Sequence, residues 1–310
     1  MNVAIIGQQD FGKAVLGALL ARGDDVAAVF CAPEKEGARP DSLRVAAQAK
    51  GLRVHQFKSL RDPEASRAME EAKADIGIMA FVTQFAPHEF VTKPKHGTIQ
   101  YHPSLLPKYR GPSSINWPII KGDTETGLTI FRPSDGLDEG AVILQKKTPI
   151  GPDDTLGTVY FDRLFPMGVQ AMLEAADLVV AWKHTETAQD ESRASYEGWC
   201  RAAEVRIDWA KPVDQVYNLI RGSNPAPGAW TTLNGKKLQI FDARKTLFRR
   251  FADVAGKLGE VTEVTPQSFK VTTQGGLIEV LKAKFEDGKK VSGGEVAQSG
   301  AIAAGTLLGG

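Results

Sequence analysis

The sequence is poor in the features that mark several classes of protein. Only two of its 310 residues are cysteine, Cys31 and Cys200, far apart and without metal-ligand spacing. They are expected to be buried free thiols in a reducing, cytoplasmic compartment, and no metal site is expected. No apolar run approaches the roughly 20 residues that span a bilayer, so no membrane partner is expected. The first residues, Met1-Asn2-Val3-Ala4-Ile5-Ile6-Gly7, lack the basic stretch of a signal peptide and read as a first strand. Net charge is nearly absent too. With 38 Lys and Arg against 37 Asp and Glu the balance is +1, and a polyanion would need a local basic patch. Gly7 and Gly12 are spaced G-x-x-x-x-G, and no Gly-Lys-Ser/Thr follows. Neither the dinucleotide fingerprint nor the phosphate loop is met, which leaves a tight strand-to-helix turn and no NAD or ATP site. No repeat and no low-complexity tract occurs.

What remains is the composition of a globular protein, 42% apolar and 24% charged, long enough for about two domains. Short apolar runs at 3–6, 25–32, 53–57, 75–82 and 97–101 read as strands. Helical patterns at 11–21, 42–50, 63–73 and 87–92 separate them, with Asp62 as an N-cap. This alternation predicts an α/β fold with a doubly wound, mostly parallel sheet and right-handed crossovers. A helix at 113–121 and strands at 127–131 and 141–145 follow, the two strands expected to pair as a hairpin through the Asp-Gly-rich turn between them. A long amphipathic segment, 155–182, is expected to cover the sheet. The polar stretch 183–203 suits a linker. Beyond it, a helix at 213–220 and turn-punctuated runs at 229–233, 237–242, 259–264, 268–272 and 277–281 predict a small, OB-like β-barrel. The expected division is therefore 1–182, an α/β catalytic domain, then 183–203, a linker, then 204–310, the C-terminal barrel.

One stretch organises the rest: Gln100-Tyr101-His102-Pro103-Ser104-Leu105-Leu106-Pro107-Lys108-Tyr109-Arg110-Gly111. An imidazole stands where a buried strand should end, and ligands of open α/β sheets bind at the carboxyl ends of strands. A second polar cluster, Asp135-Gly136-Leu137-Asp138-Glu139-Gly140, follows the run 127–131. A strand, a helix and a return strand would bring His102 and Asp138 side by side at one sheet edge. The loop Thr83-Gln84-Phe85-Ala86-Pro87 ends the fourth strand at the same edge. Histidine serves as acid or base near neutrality, and a neighbouring carboxylate fixes its tautomer and can orient a water. A His102 that only ends a strand, with Asp138 filling an Asx-turn, is the structural alternative. Three clusters converging on one edge favour a site.

The run His-Pro-Ser-Leu-Leu-Pro-Lys-Tyr-Arg-Gly, with Asn116-Trp117 and Gly136-Leu137-Asp138-Glu139-Gly140, resembles the folate-dependent formyltransferase family. Ile6-Gly7-Gln8, Phe11-Gly12 and Thr83-Gln84-Phe85 look like the same family. So do Arg206-Ile207-Asp208-Trp209, Ile220-Arg221-Gly222 and Pro227-Gly228-Ala229-Trp230, so the likeness covers nearly the whole chain. Within the family it looks most like the hydrolase domain of 10-formyltetrahydrofolate dehydrogenases, and it is also similar to methionyl-tRNA formyltransferases. The resemblance implies a formyl group taken from N10 of 10-formyltetrahydrofolate, the donor substrate. It implies that His102 stabilises the tetrahedral oxyanion and passes a proton to the departing N10, while Asp138 holds the acceptor-side relay, often through water. The pterin would enter between Gln84, Phe85 and Ala86 on one side and Asp135, Gly136, Leu137 and Asp138 on the other. Ser104 and Pro107 would line the site, with Leu105 and Leu106 as an apolar wall. Phe81 and Phe85 have core packing as the alternative. Lys108 and Arg110 would meet the folate's glutamate tail or an anionic acceptor, with solvated surface charge as the alternative.

Gln100 departs from the family pattern. The transferases carry Asn two residues before the histidine as a second oxyanion donor, and the hydrolase domain an aliphatic residue. Here the amide is kept on a longer arm, and Gln100 is a third candidate catalytic residue. The loop 33–41, where the tRNA enzyme has a long basic insertion, is short and mixed in charge, so tRNA is disfavoured as partner. Hydrolysis to tetrahydrofolate and formate, or transfer to a small amine, is the favoured reaction. Transfer to tRNA and a non-catalytic folate-binding sensor are the alternatives. With no carrier or aldehyde dehydrogenase domain in this sequence, no NAD(P) chemistry is expected from it.

Overall fold

In a computed structural model, which describes residues 1–250, 254, 256–300 and 302–309, the chain forms two compact units. One comprises Met1–Gly111, Gly127–Thr148 and Arg163–Tyr196, the other Pro112–Thr126, Pro149–Asp162 and Glu197–Gly310. The units interleave along the chain, whereas the expected division at 182 and 204 follows chain order.

Seven strands make the first sheet: β1 (Asn2–Gly7), β2 (Asp25–Cys31), β3 (Val54–Gln56), β4 (Ile76–Ala80), β5 (Thr98–His102), β6 (Glu125–Phe131) and β7 (Val142–Pro149). Their spatial order is β3-β2-β1-β4-β5-β6-β7. The first five pair in parallel, and the central β1 and β4 are the short, largely apolar strands buried on both faces that such a sheet needs. Helices α1 (Gln9–Arg22), α2 (Ser42–Ala49), α3 (Pro63–Glu71) and α4 (His88–Val91) connect them. Asp41 and Asp62 cap α2 and α3 by accepting from their first backbone N–H groups. The turn from β1 into α1 is tight for a steric reason. A Cβ on Gly7 would lie 2.2 Å from the Ala80 carbonyl oxygen.

Helices α5 (Asn116–Lys121), α6 (Leu156–Val159) and α7 (Phe165–Val180) follow. The segment expected as one helix over 155–182 is interrupted by a wide π-type turn, Tyr160–Leu164. Pro166 sits in the first turn of α7, where its missing N–H is harmless. Around α7 and α1, Phe11 stacks on Tyr101 at 4.4 Å and meets Phe165 edge-on at 5.4 Å. The expected start of α5 at 113 is also corrected. Ser113 is left-handed (φ 61°) and the helix begins three residues later.

One reversal decides where the site residues fall. Strand β6 runs antiparallel to β5, with Gln100 opposite Phe131 and His102 opposite Thr129. The carboxyl end of β6 therefore points away from His102. Asp138 is not at a strand tip, as strand–helix–strand reasoning had it, but on the excursion 132–141, which closes where Arg132 N–H donates to the Ala141 carbonyl at 2.9 Å. A Cβ on Gly140 would lie 1.6 Å from the Arg132 carbonyl oxygen, so the closure admits only glycine there.

The second unit holds α8 (Val213–Gly222) and an antiparallel sheet of β8 (Ala229–Leu233), β9 (Lys236–Leu247), β10 (Val261–Val264), β11 (Phe269–Thr273), β12 (Gly276–Phe285) and β13 (Val291–Ser292). The order is β10-β11-β12-β9-β8, with β13 paired to β12. Trp209, Leu238, Ile240, Phe269, Ile278, Val280 and Val296 lie in its core. The last helix, α9 (Gly293–Gly300), escapes sequence reading because glycines at its start and end give it poor intrinsic propensity. Both cysteines are buried free thiols, and burial pushes them up to about 12 (Cys31) and about 11 (Cys200), leaving little thiolate. Among the described residues, no helix is long and apolar enough to cross a membrane.

His55, on β3, stacks between Phe30 (5.0 Å) and Phe57 (6.1 Å), and its Nε2 is buried without a hydrogen-bond partner among the described residues. Burial, aided by Arg53, lowers its pKa from the ordinary value. Below about pH 6.5 the unfolded chain takes up a proton that the folded chain resists, so stability falls as the pH drops through this range. Urea midpoints at mildly alkaline and mildly acidic pH should show this slope reduced in His55→Phe. An equal slope in both proteins would remove His55 as its source.

Candidate active site

His102 ends β5 almost fully buried, at 5% exposure, and Asp138 is 8% exposed. His102 Nε2 lies 2.8 Å from the Tyr109 carbonyl oxygen. A carbonyl can only accept, so Nε2 carries a proton. That leaves Nδ1 as the ring atom able to gain or lose one, and Nδ1 stands 3.6 Å from Asp138 Oδ2. The same Oδ2 accepts the Gly111 N–H at 2.8 Å. Asp138 is in the left-handed region (φ 56°), as are Tyr109 (59°) and Phe81 (61°). Side chains other than glycine enter that region at a cost of about 1–3 kcal/mol each, and such residues cluster at functional sites.

The loop after His102 is pinned from three directions. Thr129 Oγ1, across from His102, donates to the Ser104 carbonyl at 2.7 Å and accepts the Leu106 N–H at 3.1 Å. Gln145 Nε2 donates to the Leu106 carbonyl (2.7 Å) and to Thr129 Oγ1 (3.0 Å). Ser195, from the polar stretch expected as a linker, accepts the Tyr109 N–H through Oγ (2.8 Å) and the Arg110 N–H through its carbonyl (2.8 Å). In that stretch too, Gln189 and Glu191 hold Arg110.

The expected site residues fall into two groups. His102 and Asp138 come together, and Gln100 sits two residues earlier on β5, half-buried. Phe81 (42% exposed), Phe85 (44%) and Leu137 (53%) are open to solvent, which removes core packing as an account of the two phenylalanines. Asp135 is exposed, and Gly136, Leu105 and Pro107 are half-buried. Leu106 is buried beside Thr129. The other group is turned inward. Ser104 is wholly buried and its Oγ donates to the Lys108 carbonyl at 2.7 Å, so the hydroxyl shapes the loop instead of facing a ligand. The Ala86 side chain packs in an apolar core with Phe30, Met69 and Phe90. Gln84 Nε2 is committed to the Phe57 and Lys58 carbonyls, both at 2.9 Å.

Arg110 is neither a solvated charge nor free for an anionic tail. It is 6% exposed, and its Nη atoms meet both carboxylate oxygens of Glu191 at 2.9 and 2.6 Å. Glu191 raises the pKa of Arg110, and Arg110 lowers that of Glu191. Sequence reasoning missed Gln189, Glu191, Ser195, Thr129 and Gln145. The only signal for the first three was a polar run lacking glycine and proline between Lys183 and Glu197. Arg61, over the Phe85 ring at 4.5 Å, was likewise unforeseen. Among the described residues, no group of three His, Cys, Asp or Glu side chains is placed to hold a metal ion.

Comparison with known proteins identifies the family. The formyl transferase family matches residues 1–176, and the formyl transferase C-terminal domain matches 200–300. The mitochondrial 10-formyltetrahydrofolate dehydrogenase of Mus musculus is 35% identical over 97% of this chain, which spans about a third (33%) of that protein. The methionyl-tRNA formyltransferase of Syntrophus aciditrophicus (strain SB) is 33% identical over 100% of this chain and 99% of its own length. Among solved structures, HypX from Aquifex aeolicus in complex with tetrahydrofolic acid has a TM-score of 0.69 at 19% identity, covering 97% of this chain and 48% of that one. The N-formyltransferase from Helicobacter canadensis, in complex with folinic acid and dTDP-3-aminofucose, has a TM-score of 0.69 at 19% identity, covering 90% and 98%. At such identities these two establish a shared fold. With the amino-terminal family match covering more than half the chain and a full-length relative at 33% identity, this chain is an enzyme of the formyl transferase family.

Proposed function

We propose that the chain takes the formyl group of 10-formyltetrahydrofolate and transfers it to water, giving formate and tetrahydrofolate, or to a small amine. The observation that carries the reading is the buried His102–Asp138 pair, with one ring nitrogen committed to the Tyr109 carbonyl and the other facing the carboxylate. The acceptor oxygen or nitrogen bonds to the formyl carbon, the carbonyl electrons move onto oxygen, and the C–N10 bond then breaks. His102, carrying a second proton on Nδ1 against the Asp138 carboxylate, stabilises the oxyanion and gives that proton to N10 as it leaves; the proton that Asp138 takes from the acceptor then returns to Nδ1. Asp138, fixed by Gly111 N–H, orients the acceptor and accepts its proton, directly or through one water. The exposed Phe81, Phe85 and Leu137 offer the apolar surface a pterin needs, and Leu106 backs it. On this reading residues 1–182 form the transfer domain and 204–310 the C-terminal β-barrel domain.

Transfer to tRNA is the second reading, favoured by the full-length match to a methionyl-tRNA formyltransferase. Against it stands the 33–41 loop. Glu34 accepts from the Asp41 N–H, Gln56 and Arg44, and these bonds pull its carboxyl down to about 2. A short loop tied down by an acidic residue is a poor match for a basic, helix-reaching insertion.

The deciding experiment incubates the protein with 10-formyltetrahydrofolate and follows formate, alone, with small amines, and with initiator tRNA. Formate release without added acceptor supports hydrolysis. Formyl-tRNA as the preferred product would replace this reading by the second. His102→Ala should lower turnover by at least about a hundredfold while tetrahydrofolate still binds, the usual scale for losing a positioned acid–base group. Retention of more than a few per cent of activity would argue against this site. Gln100→Asn, restoring the shorter amide, should raise amine transfer relative to hydrolysis. An unchanged product ratio would show that Gln100 does not set the acceptor.

A further inference from the structure

Gln189 uses every hydrogen-bonding position of its amide. Its Oε1 accepts from Arg110 Nε (3.2 Å) and Nη2 (2.9 Å), and its Nε2 donates to the carbonyls of Asp138 and Gly140, each at 2.8 Å. Arg110 is itself clamped by Glu191 and by the Ser195 carbonyl. The next residue, Gly111, holds the Asp138 carboxylate through its N–H. Asp138 is thus gripped twice, at its carboxylate by Gly111 and at its own carbonyl by Gln189, and both grips share Arg110. We infer that Gln189 is a positioning residue that fixes the strained backbone of Asp138 so that Oδ2 meets His102 Nδ1. The inference rests on the proposed reaction and deepens it by naming what sets the geometry of its pair.

The two halves of the amide can be separated. Gln189→Glu keeps the acceptors for Arg110, now as an ion pair, but turns a carboxylate oxygen toward two carbonyls where an NH₂ had donated. Gln189→Met, of similar length, loses both halves. Misplacing a catalytic group by about 1 Å costs on the order of a hundredfold in rate. The expectation is a kcat reduced at least tenfold in both variants, with tetrahydrofolate binding within about twofold of the parent. The melting temperature should fall in both variants, so kcat is read per folded molecule well below both transitions. A merely structural Gln189 predicts something else, namely a lower melting temperature with kcat per folded molecule unchanged in both variants. That result would overturn the inference. If Gln189→Glu does not fold, kcat per folded molecule of Gln189→Met decides. Should the parent turn over no formyl donor at all, it is the proposed reaction that fails. The ring-nitrogen NMR shifts of His102 then test Gln189 without turnover. They should move in Gln189→Glu and stay in Glu64→Gln, a loss of charge in an exposed pair with Arg67 outside this network, and no movement in the former would end the proposal.

Discussion

The Gly111 N–H fixes one oxygen of the Asp138 carboxylate at 2.8 Å, and that oxygen is the one facing His102 Nδ1 at 3.6 Å. Two residues back, the Tyr109 carbonyl fixes the other side of the imidazole. A single tripeptide therefore sets both partners of the acid–base pair. It also dictates the tautomer, because a carbonyl oxygen leaves Nε2 no option but to donate. Proton movement is confined to Nδ1, on the carboxylate side. An imidazole flipped by half a turn would lose the Tyr109 bond and face the carboxylate with the carbon Cδ2 in place of Nδ1.

A tripeptide can do this only if it is rigid; Ser195, Glu191 and Gln189 hold it, and three glutamines tie the loops of this unit together. Gln145 bonds Leu106 and Thr129, Gln189 bonds Asp138 and Gly140, and Gln84 bonds Phe57 and Lys58. Each ties a loop at or near the carboxyl edge of the sheet to a second segment through an uncharged donor. An uncharged amide suits a half-buried position, since a lysine or arginine there would need a counter-ion to offset its lost hydration. Of the left-handed residues, Phe81, Tyr109 and Asp138 lie within the same set of loops.

How much was legible in the sequence follows from what kind of signal each feature leaves. An imidazole closing an apolar strand breaks a pattern, and so His102 stands out. The alternation of strands and helices fixed the parallel half of the sheet, and Asp62 before Pro63 marked a helix start that the structure has. Strand direction leaves no such mark. An apolar run reads the same either way, so the reversal of β6 against β5 was out of reach. Arg110 misled for a related reason. Its partners lie 79 and 81 residues away in a segment whose polarity suited solvent, though polar atoms are equally what a buried guanidinium requires. Ser104 lies inside a recognisable motif, yet a motif says which residue is present and not whether its hydroxyl faces a ligand or its own loop.

On the proposed reading, the choice of acceptor turns on Gln100. Alternation along β5 puts its side chain on the same face as that of His102, two residues on. An asparagine there would hold its amide close to the strand, beside the developing oxyanion. Glutamine carries the same amide one methylene farther out. A donor displaced in this way stabilises the oxyanion less and crowds a bulky amine more than it crowds water. Both effects act in one direction, lowering transfer more than hydrolysis, and a single added methylene separates the two outcomes without any change in the acid–base pair itself.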